Sequence, residues 1–230
     1  MKKEIQEPTT LSSSLIHEYC SKEWWDIIDA NQDVISVKKG KTIFKQGDKV
    51  KGIYVVIKGK VKVSVIDANK KERILRFAGD NKILGHRGIA VNSYPITATA
   101  LTDCSLTFLS NEVFLKLIKT NPDLCLFLIN FMADEIRETE NRLINLLQLE
   151  VKERMASIIV TLAESFGFDE NEPTKLSYTL SRKDFASISG ATYETVIRTL
   201  FKLQTSKYIS LRGKDIHITN LVGLKALKQQ

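Results

Sequence analysis

The stretch GATYETVIRTLFKL, residues 190–203, holds side chains whose types and spacing suit the reading of DNA bases. It predicts a short helix that follows a glycine turn, with Thr192 as its N-cap. Glu194 and Arg198 are four residues apart and therefore share a helix face, where Glu would hold Arg in a reading pose. Arg can donate two hydrogen bonds to guanine, Glu can accept one from cytosine N4, and Ile197 can pack on a thymine methyl. A plain surface ion pair is the alternative.

The helical projection of this stretch separates a core-facing stripe from a DNA-facing arc. The helical period predicts a buried stripe of Val196, Thr199, Leu200 and Leu203. The opposite arc carries Tyr193, Glu194, Ile197, Arg198 and Phe201. Two bulky apolar residues beside a charged pair are unusual on a surface that only meets water.

The chain has 230 residues and a net charge of +7, and this whole excess of positive charge lies in its C-terminal quarter. From residue 175 onward there are ten Lys and Arg against three Asp and Glu, whereas residues 1–174 hold 24 of each sign. A basic excess beside the helix described above predicts a polyanionic partner. A basic surface that serves only solubility is the alternative.

Composition excludes several classes of protein. No stretch approaches eighteen uncharged apolar residues and the start, MKKEIQEPTTLSSS, has no apolar signal segment, so we expect a cytoplasmic protein without membrane contact. Cys20, Cys104 and Cys125 show neither metal-ligand nor disulfide spacing and are expected to be buried or free thiols. No nucleophile–base motif, phosphate loop or metal-ligand spacing is present, which argues against an enzyme.

Residues 34–110 change to short runs rich in Val, Ile, Phe and Thr, separated by Gly, Asp and Asn. In KVKVSVI, Val61, Val63 and Val65 alternate on one face. Several such strands predict a small antiparallel barrel or roll. The preceding SKEWWDIIDA predicts a helix whose Trp24, Trp25, Ile27 and Ile28 pack on that roll.

A long helix is predicted from about residue 122 to 149, with Pro122 at its start. Its apolar residues follow a coiled-coil spacing that predicts a dimer seam of Ile129, Met132, Ile136, Thr139, Leu143 and Leu146. A helix packed on its own roll is the alternative. A second apolar face predicts that both contacts occur, with the roll side formed by Leu126, Phe127, Leu128, Phe131 and Leu147. Thr139 is the polar exception in the seam.

The C-terminal segment predicts a short strand, a helix at about 182–188, a turn at Gly190, a second helix at about 192–205, and a hairpin that turns at residues 213–215. Helix–turn–helix plus hairpin is a compact DNA-reading unit. We therefore divide the chain into residues 1–120 (N-terminal helices and an effector-binding roll), 121–149 (dimerisation helix) and 150–230 (winged helix–turn–helix).

This segment resembles the winged helix–turn–helix of the cyclic-AMP receptor protein and fumarate–nitrate reduction regulator (CRP/FNR) family of bacterial transcription regulators. The matching residues are Ser181, Arg182, Asp184, Phe185, Ala186, Gly190, Glu194, Thr195, Val196 and Arg198. The resemblance extends upstream through LEVKER, SNEVFLKLIKTNPDL and the glycine-punctuated roll, and covers roughly residues 30–222. It implies an α+β fold: an antiparallel β-roll of the jelly-roll, cyclic-nucleotide-binding type, a dimerisation helix and the winged domain.

The same resemblance implies a homodimer that binds a pseudo-palindromic double-stranded DNA operator and contacts RNA polymerase. Glu194 and Arg198 would read bases, with Tyr193 and Ile197 beside them. Tyr193 stands where the cyclic-AMP branch has a base-reading Arg, so we expect a half-site closer to that of the oxygen-regulator branch. The remaining expected DNA contacts, nearer the backbone, are Ser181, Arg182, Lys183, Thr192, Thr195, Lys202, Arg212 and Lys214.

The effector is not identified by the sequence. The family holds a cyclic nucleotide with a Gly-Glu-Leu turn and an Arg-Ser pair, but here His86 stands at the Glu position and Tyr94-Pro95 replace Arg-Ser. We therefore do not expect cyclic AMP, and a single Cys20 cannot supply an iron–sulfur cluster. A haem ligand at His86 and a structural His86 are both conceivable. The expected pocket comprises Gly85, His86, Arg87, Tyr94, Thr97, Thr139 and Glu140, with Thr139 either contacting the effector or setting helix register.

Three classes of function remain after these observations. The first is a dimeric transcription regulator under control of an unknown small-molecule effector, through a population shift that reorients the winged domains. An effector-independent regulator of the same family competes with it. The second class is a ligand-binding regulatory module that acts on a protein partner, and an enzyme is the third.

Overall fold

The computed structural model describes residues 15–89 and 91–227. The polar start MKKEIQEPTTLSSS, in which we expected no signal segment, comprises residues 1–14 and lies outside the described part. The described chain runs from short N-terminal helices into an antiparallel roll, through a long helix, to a winged helix–turn–helix, which is the expected α+β architecture. No helix in the described ranges is long and apolar enough to cross a membrane.

Ten strands, eight α-helices and two short 3-10 helices (Lys22–Trp24 and His86–Gly88) make up the described elements. The strands are β1 (Gln32–Val37), β2 (Thr42–Phe44), β3 (Gly52–Lys58), β4 (Val61–Ile66), β5 (Glu72–Ala78), β6 (Ile83–Leu84), β7 (Thr97–Ala100), β8 (Cys104–Ser110), β9 (Ile209–Arg212) and β10 (Asp215–Ile218). The helices are α1 (Leu15–Glu18), α2 (Trp25–Asn31), α3 (Asn111–Thr120), α4 (Pro122–Gln148), α5 (Val151–Phe166), α6 (Arg182–Ser189), α7 (Tyr193–Thr205) and α8 (Leu221–Ala226).

Two four-stranded antiparallel sheets form the roll, in the orders β1-β8-β3-β6 and β2-β7-β4-β5. Val61 and Val63 point into its core as the alternation in β4 predicts, whereas Val65 is only half-buried. Ser64 lies on the opposite side of β4 and is nevertheless buried. Helix α6 lies against that outer side, where the Ser187 hydroxyl accepts from the Ile74 amide and donates to the Glu72 carbonyl.

A separate apolar cluster joins the N-terminal helices, α3 and the first turns of α4 to the roll. Ile28 is fully buried and Trp24 packs beside it, as the WWDII motif predicts, but Ile27 is exposed. Ser110 is the N-cap of α3, and its hydroxyl accepts a hydrogen bond from the Val113 amide. Pro122 occupies the first turn of α4. These signals fix the point where the chain leaves the roll for the long helix.

Helix α4 faces the roll with a narrower stripe than the sequence predicted. Leu124 and Leu128 are buried and Phe131 is half-buried, in a 4–3 spacing that keeps one face toward the roll. The expectation that Leu126 and Leu147 also contact the roll is wrong, because both fall outside that stripe and are exposed.

The winged domain shares its core with the outer side of the roll. Helices α5 to α8 and the β9–β10 hairpin bury one cluster, and Ile74, Phe77 and Leu101 of the roll belong to it. Helix α5 starts with a capping box between Glu150 and Glu153. The DNA-binding unit is therefore packed against the roll of its own chain.

Candidate DNA interface and effector site

Helix α7 is fixed by a turn, a cap and a buried stripe. Gly190 adopts φ +67°, the left-handed conformation that ends α6. The Thr192 hydroxyl then accepts a hydrogen bond from the Thr195 amide at 3.2 Å and caps α7. The side chains toward the core are the four that the periodicity predicted: Val196, Thr199, Leu200 and Leu203.

The outer arc of α7 differs from expectation in the burial of Ile197 and in the hydrogen-bond partner of Arg198. Tyr193, Glu194, Arg198 and Phe201 are exposed, but Ile197 is half-buried. Arg198 donates from Nη2 to the Thr195 hydroxyl at 3.4 Å instead of pairing with Glu194, so the expected Glu194–Arg198 ion pair is absent from the described contacts. Both charged groups are consequently free to turn toward a ligand.

Helix α6 presents a capped N-terminus next to α7. The Ser181 hydroxyl accepts from the Asp184 amide at 3.1 Å and donates to the Asp184 carboxylate at 2.7 Å. Lys183 is exposed, and Arg182 is half-buried, so that desolvation lowers the pKa of its guanidinium. Ser181 therefore has a structural role in the cap, whatever its role toward DNA.

The wing adds positive charge to the domain. Arg212 ends β9, Lys214 lies in the β9–β10 turn and Lys202 lies in the last turn of α7, all exposed. Arg212 Nη1 lies 3.3 Å from a carboxylate oxygen of Glu172, in the loop between α5 and α6. Exposed pairs of this kind are worth about 0–1 kcal/mol, so Arg212 can exchange this partner for a phosphate at little cost.

Two salt bridges of one lysine join α6 to the roll. Lys62 Nζ on β4 lies 2.9 Å from the carboxylates of both Glu72 and Asp184. Burial by itself lowers the pKa of Lys62, but these two carboxylates outweigh it and raise the pKa. One half-buried lysine thus fixes the first helix of the helix–turn–helix to strands β4 and β5.

Elsewhere on the roll, three charged or titratable residues meet a carboxylate of the long helix. Glu135 of α4 is buried, with one carboxylate oxygen 2.8 Å from Arg76 Nε and the other 3.0 Å from both His86 Nε2 and Arg87 Nη2. Burial alone would raise the pKa of Glu135, but the hydrogen bond from His86 and the charges of Arg76 and Arg87 lower it to about 2. Burial lowers the pKa of His86, so its ring is neutral near pH 7 and donates through Nε2.

The residues expected to line an effector pocket are only partly brought together. Gly85, at φ +84°, directs His86 and Arg87 toward α4. Tyr94 lies instead inside the roll, stacked on Phe44 at 4.2 Å, with its hydroxyl donating to the Gly52 carbonyl at 2.7 Å. Its burial in the core explains why it lines no open cavity.

The other three pocket candidates lie apart from His86. The hydroxyl of Thr97, on β7, accepts a hydrogen bond from the backbone amide of Gln46. The Thr139 hydroxyl donates to the Glu135 carbonyl within α4. Glu140 is exposed on α4. Two surface clefts, of about 660 and 840 Å³, contain none of the seven candidates.

The expected dimer seam forms a continuous exposed face of α4. Ile129, Ile136 and Leu143 are 57–58% exposed. Met132, Thr139 and Leu146 complete the face and are exposed as well. Leu146 also approaches the α6–α7 turn, where a Cβ on Gly190 would lie 3.4 Å from it.

Sequence reasoning missed Glu135, Arg76, Lys62 and Glu172. A signal for Glu135 was present, because residues 124, 128, 131 and 135 continue one stripe and a carboxylate there must enter the interface with the roll. Lys62 gave no comparable signal, since the partners that surround it come from a distant part of the chain.

The thiols and the possible metal ligands complete the site inventory. Cys20 and Cys104 are buried and Cys125 is half-buried, and all three are free thiols. Burial raises the pKa of Cys20 to about 11. Among the described residues no group of three or more His, Cys, Asp and Glu side chains is arranged to hold a metal ion.

Comparison with known proteins matches both halves of the chain to family models. Residues 34–121 match the cyclic nucleotide-binding domain, and residues 153–227 match the Crp-like helix-turn-helix domain. The chain is 28% identical over 207 residues to the transcriptional activator protein FnrA of Stutzerimonas stutzeri, covering 87% of this chain and 84% of that protein. It is also 28% identical over 191 residues to the fumarate and nitrate reduction regulatory protein of Escherichia coli K12, covering 83% and 76%.

Solved structures show the same fold. FixK2 from Bradyrhizobium japonicum superposes with a TM-score of 0.76 at 21% identity, covering 85% of this chain and 96% of that chain. The c-di-GMP-responsive global regulator CLP of Xanthomonas campestris gives a TM-score of 0.68 at 22% identity, covering 82% and 94%.

Proposed function

The chain belongs to the CRP/FNR family of DNA-binding transcription regulators, and from that premise we propose that it acts as a cytoplasmic homodimer on a pseudo-palindromic operator. Each protomer would place helix α7 in the major groove of one half-site. The observation that carries this proposal is α7 itself, with a buried stripe beneath and Tyr193, Glu194 and Arg198 exposed above.

Base recognition is assigned to the outer arc of α7. Arg198 suits a guanine and Glu194 a cytosine N4, and Ile197, half-buried, retains an edge for a thymine methyl. Tyr193 replaces an Arg of the cyclic-AMP branch, so the half-site is expected to be closer to that of the oxygen-regulator branch. Contacts near the sugar–phosphate backbone are assigned to Ser181, Arg182, Lys183, Thr192, Thr195, Lys202, Arg212 and Lys214.

Dimerisation is assigned to α4. Its exposed face of Ile129, Met132, Ile136, Thr139, Leu143 and Leu146 has the spacing of a coiled-coil seam. A second copy of the same face would cover it symmetrically and set the distance between the two recognition helices. RNA polymerase is the further proposed partner, supported by relatives that are named transcriptional activators.

Regulation by an unidentified small-molecule effector at the junction of roll and α4 is the first proposal for control. Cyclic AMP is not the proposed ligand, because Tyr94 is committed to the roll core and His86 is held by Glu135. An effector-independent regulator is the second proposal. It is favoured by the Glu135 contacts, which already neutralise Arg87, one of the expected pocket residues.

Binding-site selection from random duplexes tests the proposed function. We expect the purified full-length chain to enrich an inverted repeat whose half-site centres lie one helical turn apart, about 34–36 Å. Enrichment of no motif would contradict the proposal.

Salt dependence separates this function from a module that acts on a protein partner. A dimer that contacts several phosphates should lose about 10³–10⁵ in affinity between 50 and 200 mM salt. A flat salt dependence would favour the protein-partner function.

A further inference from the structure

Arg76, His86 and Arg87 form a pocket at the junction of the roll and α4, lined by two cationic side chains and one hydrogen-bond donor. Arg76 is paired with Val63 across the β4–β5 ladder, which turns its side chain toward the roll interior. There its Nη2 donates to the Ile83 carbonyl at 3.2 Å. His86 and Arg87 enter from the turn after Gly85, where a Cβ would lie 2.9 Å from the Gly52 carbonyl oxygen.

Glu135 fills this pocket with both of its carboxylate oxygens. One oxygen meets Arg76 and the other meets His86 and Arg87, at distances of 2.8–3.0 Å. Phe131, one turn earlier on α4, covers the His86 ring edge-on at 5.0 Å. The carboxylate is therefore held by charge-assisted hydrogen bonds from His86 and Arg87 and by the adjacent charge of Arg76, at a mostly buried site.

Glu135 supplies the carboxylate that contacts both guanidinium groups of the pocket, and the pocket keeps a net positive charge. With His86 neutral, Arg76 and Arg87 carry two positive charges against the single charge of Glu135. Arg142 and Glu138 also face the cluster electrostatically and cancel each other. Removal of the Glu135 carboxylate would leave two buried or half-buried guanidinium groups without a counter-ion, a costly arrangement.

We propose that Glu135 is a built-in carboxylate ligand of the Arg76–His86–Arg87 pocket, taking the place of a diffusible anionic effector and fixing α4 on the roll. Ile136 and Thr139 of the seam flank Glu135, and the Thr139 hydroxyl donates to the Glu135 carbonyl. The contacts of the carboxylate with these three residues therefore fix the rotation of α4 that points the seam outward. This inference deepens the effector-independent form of the proposed function and rests on it for the DNA readout.

Chemical rescue of Glu135→Ala by acetate tests this inference. The substitution removes the Cγ methylene and the carboxylate, which together have the size of acetate. We expect a loss of roughly tenfold or more in operator affinity and a lower thermal midpoint. Sodium acetate should restore part of both in this variant, and equal sodium chloride should not. Wild-type chain and Glu170→Ala, altered at an exposed carboxylate in the loop between α5 and α6, should show no acetate effect.

Glu135→Gln provides a second variant of nearly native shape if the alanine variant fails to fold. It should retain native circular dichroism and still bind the operator more weakly than the wild-type chain. Unchanged affinity in Glu135→Gln, or equal effects of acetate and chloride on folded Glu135→Ala, would overturn the inference. A wild-type chain that binds no operator would instead refute the proposed function, while the acetate effect on the thermal midpoint would still test the pocket.

Discussion

At the scale of single residues, Arg198 is the side chain on which base selection depends in our assignment. It is exposed, and its one described contact is a 3.4 Å hydrogen bond to Thr195 that a guanine edge can replace. We expect Arg198→Ala to cost about 1–3 kcal/mol per half-site, because the bidentate contact is lost. Competition binding with operators altered at single positions measures this.

Lys183→Ala is the matched control for Arg198. Lys183 is exposed near the start of α6 and is assigned to a phosphate. Its loss should weaken binding to all sequences equally and reduce the salt slope by about one. Undiminished sequence preference in Arg198→Ala would refute its role as a base reader.

Glu135 gives a second residue-scale prediction, through pH. Its pKa falls from 4.5 to about 2 on folding. A carboxylate with a depressed folded-state pKa stabilises the native state above its unfolded pKa and loses that contribution as the pH falls toward the folded value. The unfolding free energy of the wild-type chain should therefore decrease more between about pH 6 and pH 3 than that of Glu135→Gln.

Urea titrations at several pH values measure this difference. Glu170→Gln, altered at an exposed carboxylate in the loop between α5 and α6, should follow the wild-type chain. Parallel curves for the wild-type chain and Glu135→Gln would show that the Glu135 carboxylate does not stabilise the fold.

At the scale of elements, the contact between strand β4 and helix α6 holds the DNA-binding unit on the roll. Lys62 is 14% exposed and supplies both ion pairs of that contact. Lys62→Met leaves Glu72 and Asp184 without their cation, so we expect a loss of about 1–3 kcal/mol in unfolding free energy. Chemical denaturation beside Lys58→Met, an exposed lysine of β3, measures it. Equal losses of unfolding free energy in the two variants would show that the two ion pairs of Lys62 do not stabilise this contact.

A second element-scale link connects the end of α4 to the helix–turn–helix. Arg154 donates to the Leu149 carbonyl at 2.6 Å and to the Ser189 carbonyl at 2.9 Å. Leu146 approaches Gly190 from the same helix end. The end of α4 is thus connected to the turn between α6 and α7 by contacts within one chain.

At the scale of the whole molecule, the exposed apolar face of α4 predicts a dimer. Ile136→Glu would place like charges across the seam, which costs several kcal/mol, so this variant should be monomeric and bind its operator at least about tenfold more weakly. Sedimentation velocity and operator titration measure both effects.

Asn141→Glu adds the same charge on the side of α4 away from the seam and serves as the control. It should remain dimeric. A dimeric Ile136→Glu would place the interface elsewhere on the molecule.

The sequence by itself determined the elements and their local roles. Periodicity in α7 predicted Val196, Thr199, Leu200 and Leu203 as its buried side, and Thr192 and Gly190 as its cap and turn. Alternation in β4 and the glycine turns predicted the roll. These features depend on neighbours within a few residues, and local backbone geometry therefore encodes them.

Only the tertiary structure decided which distant groups meet. Arg198 turns to Thr195 instead of Glu194, Tyr94 enters the roll core, and Glu135 takes three cationic or donor partners from strands and turns 48–59 residues away. Lys62 meets Asp184, 122 residues along the chain. The partner of a buried charge is set by which elements pack together, and that depends on the whole core rather than on sequence spacing.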